Sequence, residues 1–196
     1  MKSKMLLAAS CALLSGMANA GLFHFQGNLA YHNDVIVTTF TVGENAGNVR
    51  VWTDSFKDGL NFDPISALWN ASTGELIAEN DDNGTVNPAT QTYYDSGFRL
   101  ESLAAGTYFF TVAAYRNFAS TLNFYDGFAY ASQTPIPLAE WCQPANACNM
   151  GANWSLWVDG VDEASNPSDI PEPGTLALLG LGALGVARAR RRNAAA

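Results

Sequence analysis

Positive charge is what the chain most lacks. Between residues 21 and 170 only Arg50, Lys57, Arg99 and Arg116 are basic, against seventeen Asp and Glu, a balance of −13. A surface that acidic repels polyphosphate, which excludes nucleic-acid binding and disfavours heparin-like polyanions for the same reason. Histidine is nearly missing, with only His24 and His32, and no H-E-x-x-H, G-x-S-x-G or P-loop pattern occurs. Zinc-peptidase, serine-esterase and nucleotide chemistries therefore have no motif to stand on. Cysteine is limited to three residues, and Cys11 falls in an N-terminal apolar run. The other two, Cys142 and Cys148, lack a C-x-x-C-H haem signature and a downstream histidine for zinc. An even count in an exported chain reads as one disulfide, which loop entropy makes worth about 2–3 kcal/mol. Long apolar runs are missing too, since none reaches the ~20 residues of a comfortable membrane span. What remains, 196 residues of which 48% are hydrophobic, is room for one domain with a real core.

The two ends carry the clearest organisation. Lys2 and Lys4 precede an apolar run from Met5 to about Leu14, and Ala18-Asn19-Ala20 follows. That is a basic n-region, a short h-region and an A-x-A site for signal peptidase, with cleavage signalled by Ala18 and Ala20 and the mature chain starting at Gly21. At the other end, Pro171-Glu172-Pro173 precedes the uncharged stretch 174–187, and Arg188, Arg190, Arg191 and Arg192 follow. Fourteen residues make about 21 Å of helix at 1.5 Å per residue, marginal for a bilayer. Arginines directly after the apolar run hold that end in the cytoplasm and set the body on the far side. Gly180, Gly182 and Gly185 soften the helix, which suits a transient inner-membrane anchor.

This C-terminal arrangement closely resembles the PEP-CTERM sorting signal. The motif maps to Pro171, Glu172 and Pro173 and the basic tail to Arg188, Arg190, Arg191 and Arg192, with Ala189 as the one interruption. The resemblance implies a partner, exosortase, a membrane-embedded cysteine transpeptidase-like enzyme that reads the motif. It also implies delivery through a membrane-anchored intermediate to the cell surface or exopolysaccharide matrix. The expected organisation is a signal peptide at 1–20, an ectodomain at 21–165, a linker at 166–170 and a sorting signal at 171–192 with a short C-terminal transmembrane helix at 174–187.

Strand signals dominate the ectodomain. Asp34–Val42 is β-branched almost throughout, Asn48–Thr53 alternates, and Gly106–Tyr115 sets Tyr108, Phe110, Val112 and Ala114 in one file at period two. Shorter candidates are Phe23–Leu29, Ile65–Trp69, Glu75–Glu79, Gly97–Leu103, Phe124–Tyr130 and Asn153–Val158, separated by Gly, Asn, Asp and Pro clusters. No window carries a helical period. The expected fold class is all-β, an antiparallel β-sandwich or jelly roll. From Asn61-Phe62-Asp63-Pro64 through Asn80-Asp81-Asp82 to Leu103-Ala104-Ala105-Gly106-Thr107-Tyr108 the chain resembles the bacterial pre-peptidase C-terminal domain. With Gln26-Gly27-Asn28-Leu29 and Thr53-Asp54-Ser55-Phe56 added, it is more similar to an ectodomain family that accompanies PEP-CTERM signals. That resemblance, over about residues 24–130, implies a fold rather than an activity.

Chemistry is sparse. Tyr94-Asp95-Ser96-Gly97 has a nucleophile-like serine without the flanking glycine, and reads as a turn before a strand. The best candidate site is Glu79-Asn80-Asp81-Asp82-Asn83-Gly84, where Glu79, Asp81 and Asn83 fall at positions one, three and five with glycine at six, as in a calcium loop. Position twelve is Thr90 instead of a bidentate glutamate, so an EF-hand is out. A looser Ca2+ site and a plain polar turn both remain open. Trp154 and Trp157 are an odd number apart and point to opposite faces of a strand, which leaves one for solvent and for a sugar ring unless a loop covers it. Two functions compete: a non-enzymatic surface or matrix protein associated with exopolysaccharide, and a small secreted hydrolase, glycosidase or peptidase, carrying the same sorting signal.

Overall fold

The computed structural model describes residues 20–43, 46–143, 148 and 150–166. The signal segment up to Asn19, the sorting motif, the apolar span 174–187 and the basic tail lie outside the described residues. Among the described residues no helix is long and apolar enough to cross a membrane.

Nine strands form among the described residues: β1 Gly21–Asn28, β2 Val35–Val42, β3 Ala46–Thr53, β4 Pro64–Asn70, β5 Leu76–Asn80, β6 Gly97–Leu103, β7 Gly106–Ala114, β8 Asn153–Val161 and β9 Glu163–Ser165. They pair antiparallel into a four-stranded sheet in the order β1-β8-β3-β6 and a five-stranded sheet in the order β5-β4-β7-β2-β9. The period-two alternation decides which side chains meet. Val49, Val51, Trp154, Leu156 and Val158 face inward from one sheet, and Phe40, Val42, Leu68, Phe110, Val112 and Ala114 from the other. All are at most 3% exposed, as expected where two inner faces interdigitate.

The expectation for Phe124–Tyr130 is corrected. Phe124–Asp126 is a 3-10 turn, started by the Asn123 side chain accepting from Tyr125 N and ended at Gly127 with φ 77°. Its aromatics lie over the outer face of the five-stranded sheet. Trp69 points outward from β4 yet is fully buried, 5.6 Å from Phe124 and 6.0 Å from Phe128, and its Nε1–H donates to Thr111 Oγ1. Buried His32 ties the β1–β2 turn to the same covering segment. Its Nδ1 accepts from Ile136 N, so Nε2 carries the proton and donates to Gln133 Oε1. The described fold runs through Asn166, which is buried with Nδ2 donating to Thr38 Oγ1. Cys142 and Cys148 are joined as a disulfide.

Candidate functional site

Beyond β5 the chain turns into the acidic loop, and the antiparallel β4–β5 register sets the residues before β4 abreast of it. Ser66 lies opposite Asn80, so the residues just before β4, Asp63 among them, run alongside the loop that holds Asp81 and Asp82. One carboxylate oxygen from each of Asp63, Asp81 and Asp82 lies within 4.8 Å of the other two. Oxygens about 2.4 Å from one calcium ion are at most ~5 Å apart, so the three fit a single ion. An all-oxygen, triply negative set is the hard-donor kind that suits calcium, with none of the imidazole or thiolate that zinc and copper favour.

The two sides of the cluster are held by different pieces of the fold. Asp63 is 4% exposed. Its backbone N–H donates to Gln143 Oε1, and its carbonyl accepts from Gln143 Nε2 and from Tyr115 N. Gln143 neighbours the disulfide, so the bridge buttresses this corner. The loop after Asp82 is closed by Asn83, whose N–H donates to Asp95 O and whose Nδ2 donates to Gly97 O. Gly84 is required there, since a Cβ would stand 2.4 Å from Thr92 O. Asp95, fully buried, accepts from Thr53 Oγ1 and Phe56 N on one oxygen and from Thr92 N and Thr92 Oγ1 on the other. That clamp positions Tyr93 and Tyr94, whose rings pack with Phe56. Tyr93 is 61% exposed.

The electrostatics record the crowding. Burial, then repulsion from Asp82, pushes the Asp81 carboxyl up to about 6, with Arg116 opposing and Glu79 adding to the rise. Burial raises Asp82 as well. Tyr94 is raised by desolvation, then by Tyr93 and the charges of Asp82, Asp63 and Asp81. Asp81 Oδ1 is buried without a hydrogen-bond partner, as is the neighbouring Asn80 Oδ1.

Of the three ligands read from the sequence, Asp81 lies in this cluster. Glu79 Oε1 instead accepts from Ala119 N, and Asn83 Oδ1 accepts from Thr85 N and Thr85 Oγ1. Asp63 and Asp82 take the neighbouring places. Asp82 stood in the loop already singled out. Asp63 is eighteen residues earlier in sequence than Asp81, and only pairing the strands on either side of Thr73-Gly74 would have found it.

Trp157, one of the two tryptophans weighed for a sugar platform, is half-buried with its faces taken. His24 stacks on it at 3.9 Å and Trp52 lies parallel at 5.9 Å, so the three rings stand in a row across the outer face of the four-stranded sheet. Below them, Ser155 Oγ lies 2.9 Å from His24 Nε2 and donates to Asp54 Oδ1, while Trp157 Nε1–H donates to Asp54 Oδ2. A serine whose proton rests on a carboxylate can only accept from the imidazole. His24 therefore presents a proton to Ser155 instead of a lone pair, the reverse of a nucleophile–base pair. The group clips β1, β8 and the end of β3 together.

Comparison with known families matches the PEP-CTERM protein-sorting motif to residues 169–192. The match takes in Pro171, Glu172 and Pro173 and the arginines at 188, 190, 191 and 192. It supports an exported protein that exosortase sorts through a membrane-anchored intermediate. No curated protein matches the chain.

Proposed function

We propose that the chain is a non-enzymatic component of the cell surface or extracellular matrix, associated with exopolysaccharide through a calcium ion held by Asp63, Asp81 and Asp82. The observation that carries this reading is the meeting of three carboxylates from two strand ends at a rim where Asp82 and Tyr93 are exposed. Calcium takes six to eight oxygens, so three carboxylates leave positions for sugar hydroxyls or uronate oxygens. Tyr93, exposed and packed against the Tyr94 that feels these charges, offers an aromatic surface nearby. The sorting motif supports delivery to the place where such a polymer lies, and the resemblance to an ectodomain family that accompanies PEP-CTERM signals supports the same setting. Signal peptidase acts first, at Ala18-Asn19-Ala20.

The test is a calcium titration of the exported protein followed by thermal denaturation, then mixing with the producing strain's own exopolysaccharide. Calcium raises the midpoint, Asp63→Asn and Asp81→Asn abolish the rise, and chelator releases the polymer without shortening it. Identical melting with calcium and with chelator overturns the metal site. Release of reducing ends establishes the rival hydrolase.

A further inference from the structure

An asparagine followed two residues later by serine or threonine, with no proline between, is the acceptor pattern for an N-linked glycan in an exported chain. Three such triplets occur: Asn70-Ala71-Ser72, Asn83-Gly84-Thr85 and Asn153-Trp154-Ser155. Asn166-Pro167-Ser168 is barred by its proline. Sequence does not rank the three, but the fold does. Transfer needs the side-chain amide nitrogen free and within reach of an enzyme, which an exposed turn allows and a strand interior does not.

Two of the three nitrogens are spent. Asn83 Nδ2 donates to Gly97 O and closes the loop after β5. Asn153 Nδ2 donates to Gly27 O, and its triplet runs into β8, with Trp154 in the core and the Ser155 hydroxyl on Asp54. The third triplet is arranged differently. Asn70 ends β4 and opens the turn to β5, where Ser72 and Thr73 are exposed. Its Oδ1 accepts from Ser72 N, Ser72 Oγ and Thr73 N at 2.9, 2.7 and 3.2 Å. Backbone N–H groups can only donate, so the atom they meet is the oxygen and the nitrogen points away from them. Asn70 Nδ2 has no partner among the described residues and is not sealed from water.

The surroundings of the turn point the same way. Leu122 at 74% and Tyr125 at 68% are the most exposed large apolar side chains among the described residues. Both residues flank this hairpin. Leu76 N donates to Leu122 O, Phe124 N donates to Gly74 O, and a Cβ on Gly74 would stand 2.7 Å from the Tyr125 ring. Adjacent exposed apolar groups mark a surface that something contacts. The C–H faces of a sugar can cover such groups while its hydroxyls stay in water.

We propose that Asn70 is an N-glycosylation site, the acceptor for a sugar activated as a glycosyl diphosphate. Nδ2 bonds to C1 of the sugar and gives up one proton. The C1–O bond to the diphosphate breaks, and the diphosphate leaves with the electron pair. A lipid-linked donor on the far side of the membrane and a nucleotide-linked donor in the cytoplasm deliver the same bond. Asp63 lies at the other end of β4, roughly 23 Å away along the strand, so the glycan leaves the acidic corner open. Calcium binding there is read by titration and is independent of this site.

Tandem mass spectrometry of the protein exported by its producing strain tests the proposal. The expected result is a glycan on the peptide carrying Asn70, with Asn83 and Asn153 unmodified. Asn70→Gln and Ser72→Ala are each expected to return the protein to its bare mass, whereas Ser72→Thr keeps the glycan. A precursor lacking residues 5–14, which stays inside the cell, separates the two donors. Glycan on that precursor assigns the nucleotide-linked sugar, and bare mass beside a glycosylated parent assigns the lipid-linked one. An exported parent of bare mass, or sugar that persists in Asn70→Gln or Ser72→Ala, overturns the proposal.

Discussion

Asp95 makes four hydrogen bonds from a fully buried carboxylate, two of them to the backbone N–H groups of Phe56 and Thr92. Burial still raises its pKa, and the four donors only oppose that rise. Its sequence neighbourhood, Tyr94-Asp95-Ser96-Gly97, is the one that faintly suggests a nucleophile; the structure gives the carboxylate a clamping task between β3 and the 92–96 loop. Asp95→Ala strands the buried amide donor of Phe56 and the part-buried one of Thr92, a buried orphan costing about 1–3 kcal/mol. The expected loss is about 3 kcal/mol in urea denaturation, with the dependence on denaturant unchanged. Asp95→Asn keeps one accepting oxygen and is expected to lose less. Because the clamp also seats Tyr94 beside the acidic cluster, the alanine variant should respond to calcium more weakly than the parent.

At the scale of elements, the loops between β3 and β4 and after β5 bring like charges together, and that has a pH signature. Asp81 is held at about 6 in the folded protein against an ordinary 3.8, so the folded state binds the proton more tightly than the unfolded state. Its contribution to stability is complete below the ordinary value and is lost as pH rises through about 6. Glu79, Asp82 and Asp95 shift the same way, each chiefly by burial. In chelator the melting midpoint should therefore fall between about pH 4 and pH 7. Asp81→Asn should shrink that fall, and saturating calcium should offset it, because the ion replaces the proton as counter-charge. A midpoint in chelator that climbs over this interval would contradict the direction of these shifts. The disulfide belongs to the same corner. Replacing Cys142 and Cys148 by serine should cost about 2–3 kcal/mol and, by loosening Gln143 beneath Asp63, reduce the shift that calcium produces in a melting curve. Period two made most of this framework legible: Tyr108, Phe110, Val112 and Ala114 all face the core from β7, as their spacing requires. β9 was invisible because three residues, one of them glutamate, carry no period. Phe124–Tyr130 read as a strand because aromatic enrichment reports burial, and its burial comes from covering Trp69. Asp81 could be found within one loop, whereas Asp63 joins it only through strand pairing, which a local window does not contain.

At the scale of the whole molecule, an acidic body precedes an apolar span that ends in arginines, and these parts make opposite demands on a membrane. The body carries −13 between residues 21 and 170 and belongs in water. The uncharged stretch of fourteen residues, 174–187, would reach about 21 Å if helical, against a hydrocarbon core of about 30 Å. A span that short is expected to hold the protein only transiently. The arginines nonetheless resist being pulled through, since each costs about 2.5–3.5 kcal/mol at the bilayer centre on insertion scales. Translocation is therefore expected to pause with Pro171-Glu172-Pro173, part of the matched sorting motif, on the outer side and open to exosortase. The surface form is expected to lack the peptide carrying Arg188, Arg190, Arg191 and Arg192 when digested and read by mass spectrometry. Glu172→Ala should leave a longer form in the membrane fraction. Replacing the four arginines by alanine should instead weaken retention and release unprocessed chain, because the barrier to translocation is gone while the motif is intact. Recovery of the arginine peptide from the surface form would mean that the tail is a plain anchor and that the −13 body stays tethered to the membrane it was carried across.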